Sequence, residues 1–162
     1  MKIESVETLL QAKQKVQNLK SRIVTEAREW IGTRFKHQAR LKLIGCDCLG
    51  LVIGIASNLE ILSKDNFPLS NLAPSNYPKI PDGSMLEAKL NQHLYQININ
   101  QISPGDLLLF NIDNNPRHLA IVSDYKNELG IIHSLAVLRS VVEHRLDEDW
   151  KGRICKAYGF SG

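Results

Sequence analysis

The sequence has little of what marks secreted, membrane or nucleic-acid-binding proteins. It has only three cysteines, an odd number that excludes a fully paired disulfide framework and fits a reducing compartment. No apolar run approaches the roughly 20 residues that span a bilayer, and residues 1–20 lack the apolar core of a secretory signal. The net charge of +3 is too small to indicate a nucleic-acid partner. We therefore expect synthesis in the cytoplasm, no membrane insertion and no nucleic acid.

What remains is an ordinary globular composition, with 43% hydrophobic and 23% charged residues in 162. A chain of this length predicts one domain over residues 1–162, because domains typically have about 100–200 residues. Apolar positions spaced by three and four predict an amphipathic helix over residues 4–31. We expect residues 1–21 to form a helical extension of the domain.

The stretch from Ile44 to Gly54 combines a short polar turn with an apolar run. Cys48 begins that run, which predicts a buried helix to about Leu62. A helix N-terminus carries roughly half a positive charge, and cysteines there can have a pKa of about 3.5–7.5. We therefore predict that Cys48 is an activated nucleophile. Gly50 and Gly54 are expected to let a neighbouring element approach closely.

The second half of the chain has the short apolar runs and turn residues of β-strands. A helix is predicted over Ser84–Ile97, after an irregular connection at 63–84 that we expect to lie over the surface near the site. Strands are predicted at 107–110, 118–124, 130–135, 137–146 and 153–160. Helices followed by antiparallel strands indicate an α+β fold.

Two histidines fall on strands that a hairpin would place side by side. A cysteine nucleophile needs a base and a group that orients the base, and His118 and His133 suit these roles. The alternatives are a small buried hydrophobic cysteine, structural histidines, and a metal site. A single residue between Cys46 and Cys48 is unlike zinc pairs, which have two or more, so no metal is expected. His93 is expected to be a surface residue, and His144 a surface or structural residue.

Five motifs, in order, resemble those of the NlpC-type cysteine peptidases. They are GTRF at 32–35, GCDCLGLV at 45–52, SPGDLLLF at 103–110, HLAIV at 118–122 and IIHS at 131–134. The second resembles the family's Asp-Cys-Ser-Gly-Leu-Val, and the fourth resembles its His-Val-Gly-Ile-Tyr strand. The resemblance implies a papain-like α+β fold, with N-terminal helices and a central cysteine-bearing helix packed on an antiparallel sheet.

The same resemblance implies a peptidoglycan hydrolase that needs no cofactor. Its substrate would be the stem peptide, and the usual bond joins D-glutamate to a diamino acid. Cys48 would be the nucleophile, His118 the general base and His133 the orienting residue. The substrate-binding candidates are Phe35, His37 and Asp47.

Two positions depart from the family pattern. Phe35 replaces a tyrosine, which removes a hydroxyl. Leu49 replaces a serine that, together with the aspartate at the position of Asp47, binds a free amino terminus in cell-wall recycling members. These differences argue against specificity for a free N-terminal L-alanine.

Further features resemble the phage-encoded, tail-associated branch. They are His37-Gln38, CDCLG at 46–50, VVEHRL at 141–146, Trp150 and Arg153. This branch implies that the protein acts at the cell wall from a virion tail, with other tail proteins as partners. The alternatives are a catalytically silent tail-tip or assembly protein, and an amidase or acyltransferase on the same fold.

Overall fold

The computed structural model describes residues 3–73 and 83–161 of the chain. Its α-helices are α1 (Ile3–Glu29), α2 (Cys48–Leu59), α3 (Gly83–His93) and α4 (Glu148–Lys151). Its strands are β1 (Arg40–Leu41), β2 (Gly45–Cys46), β3 (Tyr95–Ile97), β4 (Leu107–Ile112), β5 (Asn115–Tyr125), β6 (Glu128–Leu135), β7 (Ser140–Arg145) and β8 (Ile154–Gly159).

Six of the strands form one sheet in the order β3-β8-β4-β5-β6-β7. Every neighbouring pair in it is antiparallel. Strands β1 and β2 form a separate small hairpin just before α2. The predicted α+β fold, with N-terminal helices and an antiparallel sheet, is confirmed.

Two-residue turns fix how β4, β5 and β6 lie beside one another. Asp113 and Asn114 join β4 to β5, and Lys126 and Asn127 join β5 to β6. All four residues have positive φ, between 50° and 68°. Turns with two left-handed residues match the twist of antiparallel strands and set their register. The lateral alignment of β5 on β6 is therefore decided locally.

Helix α2 is the centre of the core on one face of the sheet. Residues 49–56 are all buried, and they pack with Trp30, which directly follows α1, and with alternate residues of the sheet. A β-carbon at Gly54 would overlap the indole ring of Trp30, and one at Gly50 would overlap the Ala39 carbonyl. The predicted close approaches at both glycines are confirmed.

The opposite face of the sheet has a second, smaller core. It contains Leu108, Phe110, Ala120, Val122, Ile131, Leu146 and Ala157, with Trp150 packed against them. Because strand side chains alternate between faces, residues two or four positions along the same strand from these also lie on this face. His118 is one of them, and its ring lies 6.0 Å from that of Phe110.

Helix α1 extends beyond the body of the protein at its N-terminal end. Val6, Leu9 and Leu10 are each more than half exposed, whereas Ile23 and Ala27 are fully buried. Only the second half of the helix therefore contributes to the core. No helix within residues 3–73 and 83–161 combines the length and apolarity that a bilayer crossing requires.

Several predicted boundaries were wrong. The helix predicted over Ser84–Ile97 ends at His93, because Tyr95–Ile97 pairs with β8 as an edge strand. Helix α2 ends at Leu59, where Glu60 adopts a left-handed conformation (φ 53°). Both ends depend on contacts with distant residues or on a cap that periodicity does not reveal.

Two further segments differ from prediction. The strand predicted from residue 137 begins at Ser140, because Ala136–Leu138 form a 3₁₀ turn. Of the connection at 63–84, residues 74–82 lie outside the described part. In its described part, Leu69 and Leu72 are buried in the main core, so the connection does not lie wholly over the surface.

Candidate active site

Asp47 holds the N-terminus of α2 and the loop before it together. Its Oδ1 accepts a hydrogen bond from the Gly50 backbone N–H (2.7 Å), the usual contact of a helix N-cap. Its Oδ2 accepts one from the Gln38 N–H (2.8 Å) and lies 3.6 Å from Nδ1 of His37. Both carboxylate oxygens are therefore occupied by contacts that position the next residue, Cys48.

Cys48 is partly exposed at the first position of α2, and its sulfur lies against strand β5. The thiol donates to the Arg117 carbonyl oxygen at 3.8 Å, and the backbone of Leu119 also hydrogen-bonds the sulfur. The sulfur thus contacts the residues on both sides of His118. Within the described residues, no hydrogen bond joins the thiol to the His118 ring itself.

The predicted low pKa of Cys48 is wrong. Burial raises the pKa of this thiol to about 12, and the negative charge of Asp47 raises it further. Backbone N–H groups oppose these effects, including those at the start of α2, but they are too weak to reverse them. The resting thiol is therefore protonated at neutral pH, because lost hydration outweighs the helix terminus.

Three histidine rings form a hydrogen-bonded row beside this cysteine. His118 Nε2 lies 2.7 Å from His133 Nδ1, and His133 Nε2 lies 2.9 Å from His144 Nε2. At the end of the row, His144 Nδ1 lies 2.9 Å from the Arg145 carbonyl oxygen. The structure thus brings His118 and His133 together as their strands suggested, and it adds a third ring.

The first two rings are neutral at physiological pH. Burial lowers the pKa of His118 to about 4, and the positive charge of Arg153 lowers it as well. Burial also lowers the pKa of His133 far below its usual range, with further contributions from His118 and His144. A neutral imidazole has one donor and one acceptor nitrogen, so it can accept a proton from a thiol.

Trp150 of α4 packs against all three rings. Its indole meets the His133 ring edge-on at 4.9 Å, and the rings of His118 and His144 are 5.8 and 6.0 Å away. The guanidinium of Arg153 lies 4.8 Å from the indole. The row is thus enclosed on this side by an aromatic ring that supplies no competing acceptor.

The expectation that His93 is a surface residue was wrong. His144, for which a surface or a structural place was expected, is part of the row. It was missed because the turn at 136–138 was unrecognised, and that turn sets the pairing of Ile131 with His144 in β6 and β7. His93 is 8% exposed and stacks on Phe67 at 4.8 Å, so it is a core residue.

The other predicted residues lie around the start of α2. Phe35 is half-buried and its N–H donates to the Arg139 carbonyl (2.9 Å). Leu49 is buried in the main core, so its side chain packs inside the protein. Cys46 is fully buried, burial raises its pKa to about 12, and its carbonyl accepts from the Ser134 hydroxyl (2.8 Å). Cys46 is therefore a packing residue.

No three His, Cys, Asp or Glu side chains within the described ranges converge as ligands of a metal ion. The three histidines of the row instead point at one another, nitrogen to nitrogen. Such an arrangement can hold and relay a proton, and it leaves the thiol as the nucleophilic group of the site.

Comparison with solved structures shows that the fold is that of the NlpC/P60 proteins. An NlpC/P60 family protein from Bacillus cereus matches with a TM-score of 0.62 and 16% identity, over 88% of this chain and 40% of that one. The NlpC/p60 domain of the peptidoglycan hydrolase SagA matches with a TM-score of 0.58 and 18% identity, over 86% of this chain and 97% of that one.

An N-acetylmuramoyl-L-alanine amidase from Bacteroides uniformis also matches, with a TM-score of 0.51 and 13% identity over 88% of this chain and 96% of that one. The chain spans about two fifths of the length of the B. cereus protein. No family model and no curated protein matches the sequence. At these identities the comparisons establish the fold, and an activity has to be argued from the site.

Proposed function

We propose that the protein is a cysteine peptidase that hydrolyses amide bonds in peptidoglycan stem peptides. The observation that carries the proposal is the position of the Cys48 sulfur, against the backbone on both sides of His118, whose ring is hydrogen-bonded to His133. The NlpC/P60 fold and its occurrence in a peptidoglycan hydrolase support the substrate class.

In this mechanism the Cys48 side chain turns from the Arg117 carbonyl to the unprotonated nitrogen of His118. The thiol proton passes to that nitrogen while the sulfur forms a bond to the substrate carbonyl carbon. The backbone N–H of Cys48, which lies in the first turn of α2 and has no acceptor within the helix, stabilises the oxyanion. His133 holds the His118 ring in place.

The remaining steps return every group to its starting state. The carbon–nitrogen bond breaks, and the leaving amine takes the proton from His118, which leaves a thioester on Cys48. His118 then removes a proton from water, whose oxygen attacks the thioester carbonyl. The carbon–sulfur bond breaks, the acid product departs, and the proton on His118 returns to the sulfur.

The pKa values determine when the proton moves. Because the pKa of the thiol is raised to about 12 and the pKa of the His118 imidazole is lowered to about 4, both groups favour their neutral forms before substrate binds. Proton transfer must therefore accompany formation of the carbon–sulfur bond, when the negative charge moves to the substrate oxygen. The active form is assembled by substrate and is not present at rest.

The start of α2 also bears on which bond is cleaved. Asp47 uses both oxygens in contacts with the fold, and Leu49 is buried. Neither residue is placed to bind the ammonium group of a free amino terminus. We propose cleavage inside stem peptides, at the bond between D-glutamate and the diamino acid.

The direct test is release of soluble muropeptides from purified sacculi. The wild-type protein and a Cys155→Ala control, whose substitution lies on the far strand β8, are expected to release them. Cys48→Ala and His118→Ala are expected to release none above background. Equal release by the wild type and Cys48→Ala would exclude Cys48 as the nucleophile.

The products decide between an endopeptidase and an amidase. An endopeptidase leaves L-alanyl-D-glutamate attached to the glycan, whereas an amidase releases peptides that begin with L-alanine. Mass spectrometry of the soluble fraction distinguishes these products. Peptides that begin with L-alanine would contradict the proposed bond but keep the proposed nucleophile.

A second candidate is a catalytically silent structural protein. Two observations favour it: the raised thiol pKa and the contact of the sulfur with the Arg117 carbonyl instead of an imidazole. This candidate predicts no release from sacculi of any stem-peptide chemistry, and no thioester when a peptide substrate is mixed with the protein and quenched in acid.

We further propose that the protein reaches the cell wall in a phage tail. The support is the resemblance of residues 141–146, Trp150 and Arg153 to tail-associated members. Phage particles purified from a host that carries the gene should contain the protein in stoichiometric amount with other tail proteins. Its absence from washed particles would exclude this location.

A further inference from the structure

The row of three rings ends on a group that cannot donate a hydrogen bond. The Arg145 carbonyl oxygen is only an acceptor, so the proton of that contact belongs to Nδ1 of His144. A neutral His144 then has an unprotonated Nε2, which accepts from His133. The carbonyl thus fixes which nitrogen of His144 carries its proton.

The same rule passes along the row. His133 donates from Nε2 to His144, so the neutral His133 has an unprotonated Nδ1. That nitrogen accepts from Nε2 of His118, and the neutral His118 is left with an unprotonated Nδ1. Every ring nitrogen but this one is used by the row.

We propose that His144 is a positioning residue, which acts through His133 to keep Nδ1 of His118 unprotonated and available as the base. This inference rests on the proposed function, because it assigns the base nitrogen of the same site. His144 touches neither the sulfur nor a reacting atom, and its effect is to select one of two tautomers.

Among the residues that the structure describes, the hydrogen-bond partner of His133 Nε2 is His144. His133 is fully buried, and a buried donor without a partner is unfavourable because it has lost its hydrogen bonds to water. The neighbouring Trp150 has only a donor, and Val142, paired with His133 across the strands, has neither donor nor acceptor in its side chain. Because Ile131 pairs with His144, the His144 ring lies diagonally across the two strands from His133. The centroids of the two rings are 4.9 Å apart.

A side chain that only donates at position 144 should reverse the row. His133 would then accept at Nε2 and donate from Nδ1, and His118 would accept at Nε2 and hold its proton on Nδ1. A base protonated on its reactive nitrogen cannot take the thiol proton. The hydrogen-bonding character at 144, and not its bulk, should therefore determine the rate.

Three substitutions separate these properties. His144→Gln keeps an acceptor oxygen, His144→Phe keeps a ring against Trp150 without an acceptor, and His144→Lys supplies only donors. Glu128→Gln, an exposed change on β6, is the control. We expect the kcat of His144→Gln to be near that of the wild type. The kcat of His144→Phe should fall about 10–100-fold, as is typical when a group that orients a functional residue is removed. The kcat of His144→Lys should fall further. KM should be unchanged throughout.

A second measurement does not require activity. The ¹⁵N chemical shifts of His118 in a Cys48→Ala background report which ring nitrogen carries the proton. We expect the Nε2-protonated form in the parent and in His144→Gln, and the Nδ1-protonated form in His144→Lys. An unchanged His118 tautomer in the Lys variant would overturn the inference, as would equal kcat values for folded Gln and Lys variants.

The two measurements keep the proposals apart. If no sacculi of any chemistry are cleaved but the tautomer follows residue 144, the proposed function fails and the assignment of His144 stands. If sacculi are cleaved and the tautomer does not respond, the function stands and the role of His144 is refuted.

Discussion

Slow reaction of Cys48 with small electrophiles is the sharpest consequence of the site. With a pKa of about 12, about one Cys48 thiol in 10⁵ is ionised at pH 7, against about one in 30 for a free cysteine with a pKa near 8.5. The more basic thiolate is also the more nucleophilic, by about 40-fold over this range. The net expectation is alkylation roughly 100-fold slower than for a free cysteine.

The assay is alkylation with iodoacetamide, followed by peptide mapping of all three cysteines. The Cys48 rate should rise about tenfold with each pH unit beyond pH 9, where a free thiol has levelled off. The chain unfolded in urea provides the reference rate for each cysteine. Reaction of native Cys48 at the unfolded rate at pH 7, or a plateau below pH 9, would refute the protonated resting thiol.

A variant of the cap tests the assigned cause. Asp47→Asn removes a negative charge that raises the thiol pKa and keeps an oxygen able to cap α2. Its Cys48 should react severalfold faster than wild type. An unchanged rate in a variant with an unchanged unfolding midpoint would show that the Asp47 charge has no part in the shift.

Three further predictions concern stability and the imidazoles. As pH falls from 6.5 to about 4, the unfolded chain binds a proton that folded His118 does not bind, so His118 alone should lower the unfolding free energy by about 3 kcal/mol. In urea unfolding experiments at several pH values, His118→Gln should reduce the dependence of the unfolding free energy on pH. An unchanged dependence would contradict the assignment. Arg153→Gln should raise the pKa of His118 because a neighbouring positive charge is lost. NMR titration of a His118 ring proton measures this pKa. Gly54→Ala should lower the unfolding free energy by about 1–3 kcal/mol, through overlap with Trp30. Gly152→Ala, where a β-carbon meets only ordinary contacts, should change it little in the same urea experiment.

The features predictable from sequence are those with local causes. The apolar run after Cys48 and the alternating strands around His118 follow from periodicity, and the two-residue turn at Lys126–Asn127 is local chemistry. These features brought the cysteine and two histidines into one region. The edge strand at 95–97 depends on pairing with β8, whereas the local sequence predicts the end of a helix there.

The ionisation state of Cys48 and the place of His144 could not be predicted in the same way. The helix N-terminus argues for a low pKa at Cys48, but the loss of water around the sulfur depends on the packing of β5. His144 was also missed, since its place beside His133 depends on a register set by the turn at 136–138. Burial and register are properties of the assembled fold.

The hairpins that carry the histidines have a consequence for the order of folding. His118 and His133 are 15 residues apart, and His133 and His144 are 11 apart, whereas Cys48 meets Arg117 across 69 residues. Short loops close at lower entropy cost and sooner than long ones. We expect the imidazoles to associate before the nucleophile arrives, although the ribosome makes Cys48 first. The nascent chain would then carry a thiol without its base, and the two would meet only as the last long-range contacts form.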